Sequence, residues 1–418
     1  MGILSLLVRL TLFLKRDEQL ESNQDAGQGP SATLLQNLEM KSTNMTDKLS
    51  VSILKETRDN EKRVIMLPQG VRQFVEAGFK VYVEHDAGAA SGAFDGDYKA
   101  AGGEIVSTDE AWTVSPFLLK YKFPSVAERR YLCRPLHIGA YFYPGENYEL
   151  THHLREHGVT AYSYEYFQAA DGSFPLMTPD SEISGKLAVL FGAHHLLSTQ
   201  GGLGIMLASL PGMKPPKVVV IGHGNVGAAA ARTAAGLGNE VVVFGYREES
   251  LRRFEGTVPS NVKCLIVSQE ALEREIPDAD LVIGATLIST YDTPAMLTDE
   301  LVKKMKEGSM IIDVTCGYGA GYIPTAHTFT WMGAAPYKVH GVWHYKDPVM
   351  PAHVHQTASI GATTNHTRYL ISLGKSIFLK DFQDSVSQKG KFVENGEIIH
   401  PHVISDFALI DALAKKSA

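Results

Sequence analysis

Three glycines, Gly222, Gly224 and Gly227, follow a run of apolar β-branched residues and precede an alanine-rich segment. A strand, then G-x-G-x-x-G, then a helix is typical of a turn that binds the pyrophosphate of a dinucleotide. The first glycine allows the tight turn, the second lets the phosphates approach the backbone, and the third lets the helix pack on the strand. Because a helix N-terminus presents free N–H groups to anions, we predict that Asn225 and Val226 also bind the phosphates.

The strand predicted after this turn ends in Gly245, Tyr246 and Arg247. A site for NAD usually places a carboxylate there to bind the ribose 2′-OH. This chain has none at the strand end, whereas an arginine can bind a 2′-phosphate through two hydrogen bonds. We therefore predict that Tyr246 and Arg247 contact the cofactor and that NADP(H) is preferred. Glu248 and Glu249 follow directly and keep NAD(H) open as the alternative.

Two later apolar segments, 280–285 and 309–314, are predicted strands of the same sheet. The carboxyl ends of parallel strands line the crevice in which a dinucleotide binds. Thr286 directly follows the first of these strands, so we assign it to the cofactor site. Ser181 stands at the predicted start of a long amphipathic helix ahead of the glycine turn, and it is the remaining cofactor candidate.

Strand and helix patterns alternate along the chain, first from Leu49 and again from Lys217. In the first stretch the pattern predicts two helices, 68–77 and 148–157, and four strands, 50–54, 80–84, 117–121 and 134–142. Such alternation predicts an α/β fold with mainly parallel sheets.

A chain of 418 residues is long enough for two domains or more. We predict that residues 180–345 form a nucleotide-binding domain inserted into a catalytic, substrate-binding domain. The catalytic domain then consists of residues 48–179 and of residues 346–418, where the chain returns to it. Residues 1–47 are expected to lie outside both domains.

The N-terminal segment has a mostly apolar part, 1–16, and a polar part, 17–47. The apolar part is shorter than the roughly 20 residues that a membrane span needs, and the polar part is predicted to be disordered. Two interpretations of residues 1–16 stay open, a targeting or anchoring peptide and an extension without a role. The three cysteines lie far apart, which favours a reducing compartment. We expect a cytoplasmic protein, with organelle targeting as the alternative.

Composition argues against several classes of protein. The formal net charge is −7 and no basic stripe is visible, so no nucleic-acid partner is expected. Neither CxxC nor HExxH spacing occurs, and we predict no metal site. His353 and His355 are spaced as a metal pair, but surface or core histidines are the favoured interpretation.

Beyond these patterns, the chain resembles the family of alanine dehydrogenases and transhydrogenase alpha subunits, which also includes N5-(carboxyethyl)ornithine synthase. The matching segments are 55–64, 119–124, 181–185, 199–202, 222–227, 280–285 and 350–352. Together they cover the chain from about residue 49 to residue 375.

The resemblance implies two Rossmann-like domains with parallel sheets, one inserted into the other. It also implies hydride transfer to an imine formed from a 2-oxo acid and an amine, or the reverse oxidation. The family's substrate-binding arginine falls on Arg63 and its catalytic lysine on Lys122. A bidentate arginine suits the carboxylate of a 2-oxo acid, and a lysine near the carbonyl can relay protons. Proteins of this family are oligomers, so a homo-oligomer is expected.

Two positions depart from the alanine dehydrogenase pattern. Tyr143 stands where those enzymes carry a catalytic histidine, and Gly317 where they carry an aspartate. We therefore expect an opine-type enzyme, in which NADP(H) drives the reductive condensation of a 2-oxo acid with the amine of an amino acid. Residues 317–321 would then form an enlarged site for the bulkier amine, and Tyr143 is the third catalytic candidate.

Two alternatives remain. The chain is an alanine dehydrogenase-like enzyme that uses ammonia, or a dinucleotide-binding protein without catalysis. One of the histidines near the point where the chain returns to the catalytic domain is a candidate to replace the missing catalytic histidine. These histidines are His340, His344, His353, His355 and His366.

Overall fold

The computed structural model describes residues 49–286, 294–315, 321–330, 334–380 and 385–417. The chain divides into two compact units, which we call unit 1 (49–179 and 355–417) and unit 2 (180–354). Each unit is built on its own mostly parallel sheet. Within the described residues, no helix has the length and apolar character that a membrane span requires.

Strands and helices alternate through most of both units. The strands are β1 (Ser50–Ile53), β2 (Lys80–Glu84), β3 (Glu104–Val106), β4 (Phe117–Lys122), β5 (His137–Tyr141), β6 (Thr160–Ser163), β7 (Lys217–Ile221), β8 (Glu240–Gly245), β9 (Val262–Ile266), β10 (Leu281–Gly284), β11 (Met310–Asp313), β12 (Tyr337–Val339), β13 (Val342–Lys346), β14 (Lys391–Glu394) and β15 (Glu397–Ile398). The α-helices are α1 (Pro68–Glu76), α2 (Asp95–Ala100), α3 (Thr108–Thr113), α4 (Tyr148–Glu156), α5 (Thr178–His195), α6 (Asn225–Gly236), α7 (Glu248–Glu255), α8 (Gln269–Glu275), α9 (Asp299–Val302), α10 (His355–Leu379), α11 (Ser385–Lys389) and α12 (Pro401–Ser417).

The sheet of unit 1 has the order β3-β2-β1-β4-β5-β6-β14-β15. The first six strands are parallel, and β14 and β15 add an antiparallel edge. Every residue of β4 is buried, as expected for a parallel strand covered on both faces. The strand order reverses between β1 and β4, and such a switch point is where open α/β sheets bind ligands.

The sheet of unit 2 repeats this arrangement with the order β9-β8-β7-β10-β11-β13-β12. All of its strands are parallel except β12, which pairs with β13 in the antiparallel sense. Its switch point lies between β7 and β10. Each of the two sheets therefore has the 3-2-1-4-5-6 strand order of a dinucleotide-binding fold, and each has an apolar core on both faces.

The structure corrects two predicted boundaries. Unit 2 extends to Val354 instead of ending at residue 345, because Tyr345 and Met350 pack in the same apolar core as β7 and α6. The sequence pattern hides β13, since it carries the buried polar residues His344 and Lys346. Helix α5 begins at Thr178, so Ser181 lies within its first turn and not at its start.

Candidate functional site

The turn after β7 requires glycine at two of its three positions. Gly222 has a φ of 109°, and a Cβ atom there would lie 2.5 Å from the carbonyl oxygen of Ala285. A Cβ at Gly227 would lie 2.0 Å from the carbonyl oxygen of Gly222. Glycine at these positions thus follows from left-handed backbone and from close helix–strand packing.

Gly224 differs from its two neighbours in the motif. A Cβ atom at this residue would meet no protein atom within 4 Å. Gly224 is the N-cap of α6 and no side chain caps that helix end, so the first N–H groups of the helix, at Asn225 and Val226, face an open space. The open cradle in front of a helix N-terminus fits the pyrophosphate of a dinucleotide.

Two of the four other cofactor candidates of unit 2, Thr286 and Ser181, belong to segments that contact this turn or the helix after it. The Thr286 hydroxyl donates a hydrogen bond to the carbonyl oxygen of Ile221 at 2.9 Å, next to Gly222. Helix α5 crosses α6 at Gly185, where a Cβ would lie 2.2 Å from the carbonyl oxygen of Val226. Ser181 precedes Gly185 by one turn and shares its helix face. The fold therefore brings Ser181 and Thr286 to the glycine turn.

The end of β8 is polar and exposed. Tyr246 is 53% exposed and its hydroxyl lies 3.1 Å from the sulfur of Met296. Arg247, also exposed, is the N-cap of α7. The two carboxylates that follow pair with arginines one turn further on, Glu248 with Arg252 at 2.5 Å and Glu249 with Arg253 at 3.8 Å.

Unit 1 collects charged side chains where its strands end. Lys122 is the last residue of β4, and Tyr143 follows β5 by two residues. The Lys122 ammonium lies 3.2 Å from the Tyr143 hydroxyl and 4.3 Å from the centre of the Tyr143 ring. The fold thus brings together two residues that were predicted as catalytic from separate segments.

Arg63, the third predicted catalytic residue, is 1% exposed and its guanidinium stacks 4.2 Å over the ring of Tyr121. Glu61 binds its Nε and Nη2 edge, with distances of 2.7 Å and 2.6 Å. Burial works to raise the pKa of Glu61, but the Arg63 guanidinium and the Lys122 ammonium outweigh it, and the pKa lies below its usual 4.5. Glu61 therefore stays ionised and compensates the buried arginine.

Glu165 is a second carboxylate that the sequence analysis did not assign. It accepts a hydrogen bond from the backbone N–H of Tyr143 at 2.6 Å. Burial raises the pKa of Glu165, while hydrogen bonds from Ser163 and the charge of Lys122 oppose that rise. Tyr143 has a φ of 46°, an unusual backbone conformation for a tyrosine, and this bond from Glu165 helps to hold it. We call Glu61, Arg63, Lys122, Tyr143 and Glu165 the charged cluster.

A separate buried network fixes the backbone of Lys122. Glu56 accepts hydrogen bonds from the N–H groups of Tyr121 and Lys122 at 2.8 Å and 3.3 Å, where the pairing of β4 with β5 is irregular. Its other oxygen binds the Lys120 ammonium at 3.0 Å, and Glu128 binds the same ammonium at 3.3 Å. Lys120 is thus committed to two carboxylates, in keeping with a structural role for it.

The C-terminal histidines hold structural positions. His353 binds Asp347 at 2.8 Å, and His344 is fully buried. His366 lies 2.9 Å from the hydroxyl of Tyr141, whose ring stacks against that of Tyr143. Of these histidines, His366 is the one connected by described contacts to the charged cluster.

Three groups in the described parts of the chain form the geometry of a possible metal site. His85, Asp86 and Asp95 bring ligand atoms within 4.8 Å of one another. His85 and Asp86 are exposed and already pair at 3.1 Å, so we assign no metal to them. Gly317 and the N-terminal segment, about which the sequence made predictions, lie outside the described residues.

Both halves of the chain match models of known domains. Residues 52–184 match "Alanine dehydrogenase/PNT, N-terminal domain", and residues 188–401 match "Alanine dehydrogenase/PNT, C-terminal domain". An alanine dehydrogenase of Mycolicibacterium smegmatis is 34% identical over 364 residues, which are 86% of this chain and 97% of the relative. One from Bacillus subtilis is 33% identical over 369 residues, 88% of this chain and 97% of the relative.

Solved structures give the same result. An L-alanine dehydrogenase superposes with a TM-score of 0.79 at 35% identity, covering 86% of this chain and 99% of the other. A transhydrogenase from Sinorhizobium meliloti superposes with a TM-score of 0.70 at 22% identity, covering 84% and 99%. The second likeness concerns the fold alone. Together they confirm the predicted α/β class with two Rossmann-like sheets.

Proposed function

The chain belongs to the alanine dehydrogenase/PNT family and is an oxidoreductase of the amino-acid dehydrogenase class; we propose that it interconverts a small 2-oxo acid plus ammonia with the corresponding amino acid. The observation that carries this proposal is the charged cluster, where a lysine ammonium, a tyrosine hydroxyl and a buried arginine lie at the strand ends of unit 1. A nicotinamide dinucleotide, when bound, supplies or accepts the hydride.

Each residue of the charged cluster has a proposed role toward the substrate. Arg63 binds the substrate carboxylate, which competes with Glu61 for the guanidinium. Lys122 holds a proton beside the carbonyl oxygen, which leaves as water when the imine forms. The Tyr143 hydroxyl, 3.2 Å from the Lys122 ammonium, exchanges a proton with it. Glu165 positions Tyr143 through its backbone N–H.

This proposal differs from the opine-type prediction in the amine substrate, which is ammonia here and an amino acid there. The sequence favoured an opine-type condensation because Tyr143 and Gly317 depart from the alanine dehydrogenase pattern. The named relatives are alanine dehydrogenases at 33–34% identity over nearly their whole length, and they favour the ammonia-using alternative. The alanine of their name makes pyruvate and ammonia the first substrates to test.

The cofactor is a nicotinamide dinucleotide, as its relatives' name implies, and the proposed site for it is the turn at Gly222, Gly224 and Gly227. Within that class we propose a preference for NADP(H). The support is the strand end at Gly245, which offers no carboxylate to a ribose, and the exposed Arg247 next to it. The relatives do not themselves support NADP(H) over NAD(H).

The decisive experiment follows the absorbance of NADPH and NADH at 340 nm with pyruvate and ammonium, and then with other 2-oxo acids. In parallel reactions, ornithine, lysine or alanine replaces ammonium. We expect turnover with ammonium. Turnover that requires an amino-acid amine would restore the opine-type prediction, and tight dinucleotide binding without turnover on any pair would favour a non-catalytic binding protein. Lys122→Ala serves as the matched inactive control.

A further inference from the structure

At Gly245, the last residue of β8, a histidine ring occupies the space that a side chain would need. A Cβ atom built on Gly245 would lie 2.7 Å from Nδ1 and 2.9 Å from Cε1 of His223, and 2.8 Å from Leu251. His223 is the first variable residue of the glycine motif, between Gly222 and Gly224. Any carboxylate side chain at position 245 must therefore displace both the His223 ring and the flexible end of the Leu251 side chain.

The His223 ring is held where it is. Its Nε2 lies 2.9 Å from the Ser250 hydroxyl, which itself donates to the carbonyl oxygen of Arg247 at 3.1 Å. The ring also lies against Phe254, with 5.9 Å between ring centres. These contacts hold the His223 ring beside Gly245, so the ring is not free to move away from position 245.

The charges around this position favour an anion. Arg247 is exposed, and both following carboxylates, Glu248 and Glu249, are paired with arginines of α7. A guanidinium binds a phosphate well through its planar fork.

We propose that His223 is a specificity-determining residue for the cofactor. Its ring occupies the space that a ribose-binding carboxylate at position 245 would need, and Arg247 is then the residue that binds a 2′-phosphate. The inference rests on the proposed function in one respect, that unit 2 binds a nicotinamide dinucleotide. It goes further in assigning the selection to a steric effect of His223, held by Ser250, on position 245.

The test measures dissociation constants for NADPH and NADH by fluorescence titration, together with the shift in melting temperature that each ligand causes. The wild type should bind NADPH at least tenfold more tightly than NADH. Gly245→Asp alone should lose affinity for both, because the new side chain meets the His223 ring. His223→Ala combined with Gly245→Asp should reverse the preference in favour of NADH by at least tenfold.

Two results would overturn the inference. One is a Gly245→Asp single variant that gains as much NADH affinity as the double variant, since the ring would then be no barrier. The other is a wild type that binds NADH as tightly as NADPH. If the position-245 variants fail to fold, Arg247→Ala still decides: it should weaken NADPH binding at least tenfold and leave NADH unchanged, and a loss under twofold counts against the inference. Arg232→Ala, an exposed arginine on α6, is the matched control.

These outcomes separate the inference from the proposed function. A wild type that binds both dinucleotides equally well overturns the role of His223 and leaves the dehydrogenase proposal standing. A folded wild type that binds neither dinucleotide overturns both.

Discussion

The two sheets have the same strand order, yet the segments that leave their switch points offer different chemistry. In unit 2, β7 is followed at once by Gly222, and the proposed binding groups are backbone N–H groups of a helix N-terminus. In unit 1, β1 is followed by a longer segment that carries Glu61 and Arg63, and β4 ends in Lys122. The same strand order thus places backbone N–H groups at the switch point of unit 2 and charged side chains at the switch point of unit 1.

The difference follows from what each proposed ligand requires. Backbone N–H groups and a helix dipole bind the phosphates of any dinucleotide, and they need only glycines that let the ligand approach. A small 2-oxo acid offers a carboxylate and a carbonyl, which need charged side chains at fixed positions. Unit 1 has such side chains at the cost of buried charges: Arg63 pairs with Glu61, and in the supporting network behind Lys122 the buried Lys120 pairs with Glu56. Removing one partner of a buried pair is expected to be strongly destabilising.

The largest expected effect comes from removing the side-chain chemistry of unit 1. Lys122→Ala should reduce kcat by about 10³-fold, within the range for loss of a general acid–base group, and dinucleotide affinity should change less than twofold. Steady-state kinetics and fluorescence titration measure the two effects separately. Lys80→Ala, an exposed lysine paired with Glu104, is the control. Retention of a tenth of the activity would show that Lys122 is not catalytic.

The second effect concerns stability and again lies in unit 1. Complete burial lowers the pKa of His366 to about 4, whereas an unfolded histidine titrates near 6.5. The unfolded state therefore binds the proton first, and the stability conferred by neutral His366 is complete above pH 6.5 and is lost as the pH falls from 6.5 to 4. The loss amounts to about 3 kcal/mol at most.

Urea unfolding at several pH values between 7 and 4 measures this effect on the free energy of unfolding. His366→Gln, which cannot titrate in this range, should flatten the pH dependence relative to the wild type. Asn365→Gln, an exposed and non-titrating position on the same helix, should leave it unchanged. Parallel curves for the wild type and His366→Gln would contradict the prediction.

A smaller effect tests the backbone site of unit 2. Gly224→Ala places a methyl group in open space, so the melting temperature should stay within a few degrees of the wild-type value. Dinucleotide affinity should fall about tenfold, or ~1.4 kcal/mol, because the methyl group occupies the approach to the phosphates. Gly236→Ala, equally open at the other end of α6, should change neither quantity. Unchanged affinity in Gly224→Ala would place the phosphates elsewhere.

The smallest effect concerns Tyr143. Tyr143→Phe removes the hydroxyl that lies 3.2 Å from the Lys122 ammonium, and kcat should fall by roughly fivefold, about the value of one hydrogen bond. The dependence of kcat on pH should shift as well, since a purely structural role would leave that profile in place. Wild-type kcat with an unshifted profile would remove Tyr143 from the proposed mechanism.

The sequence predicts the backbone site better than the side-chain site, for a physical reason. The turn at Gly222 and Gly227 is a local requirement, and its spacing can be recognised in six residues. The charged cluster depends on contacts between distant segments, as between Tyr143 and Glu165, and no local sequence pattern predicts these contacts. Arg63 and Lys122 could be assigned only through the family resemblance.

The same distinction explains which elements the sequence missed. Strands of continuous apolar residues such as β7 are evident, because parallel strands are buried on both faces. β6 and β13 contain polar residues that the fold buries, Ser163 and His344 among them, and their patterns are therefore weak.

The central claim is that this chain transfers a hydride to the α-carbon of an imine made from a 2-oxo acid and ammonia. Incubation with NADPH or NADH deuterated at the transferring position, pyruvate and ammonium, followed by mass spectrometry of the products, tests it directly. The predicted product is alanine with one deuterium on the α-carbon. Absence of deuterium from alanine, with the label appearing only in an N-substituted amino acid when a second amino acid is added, would contradict the account.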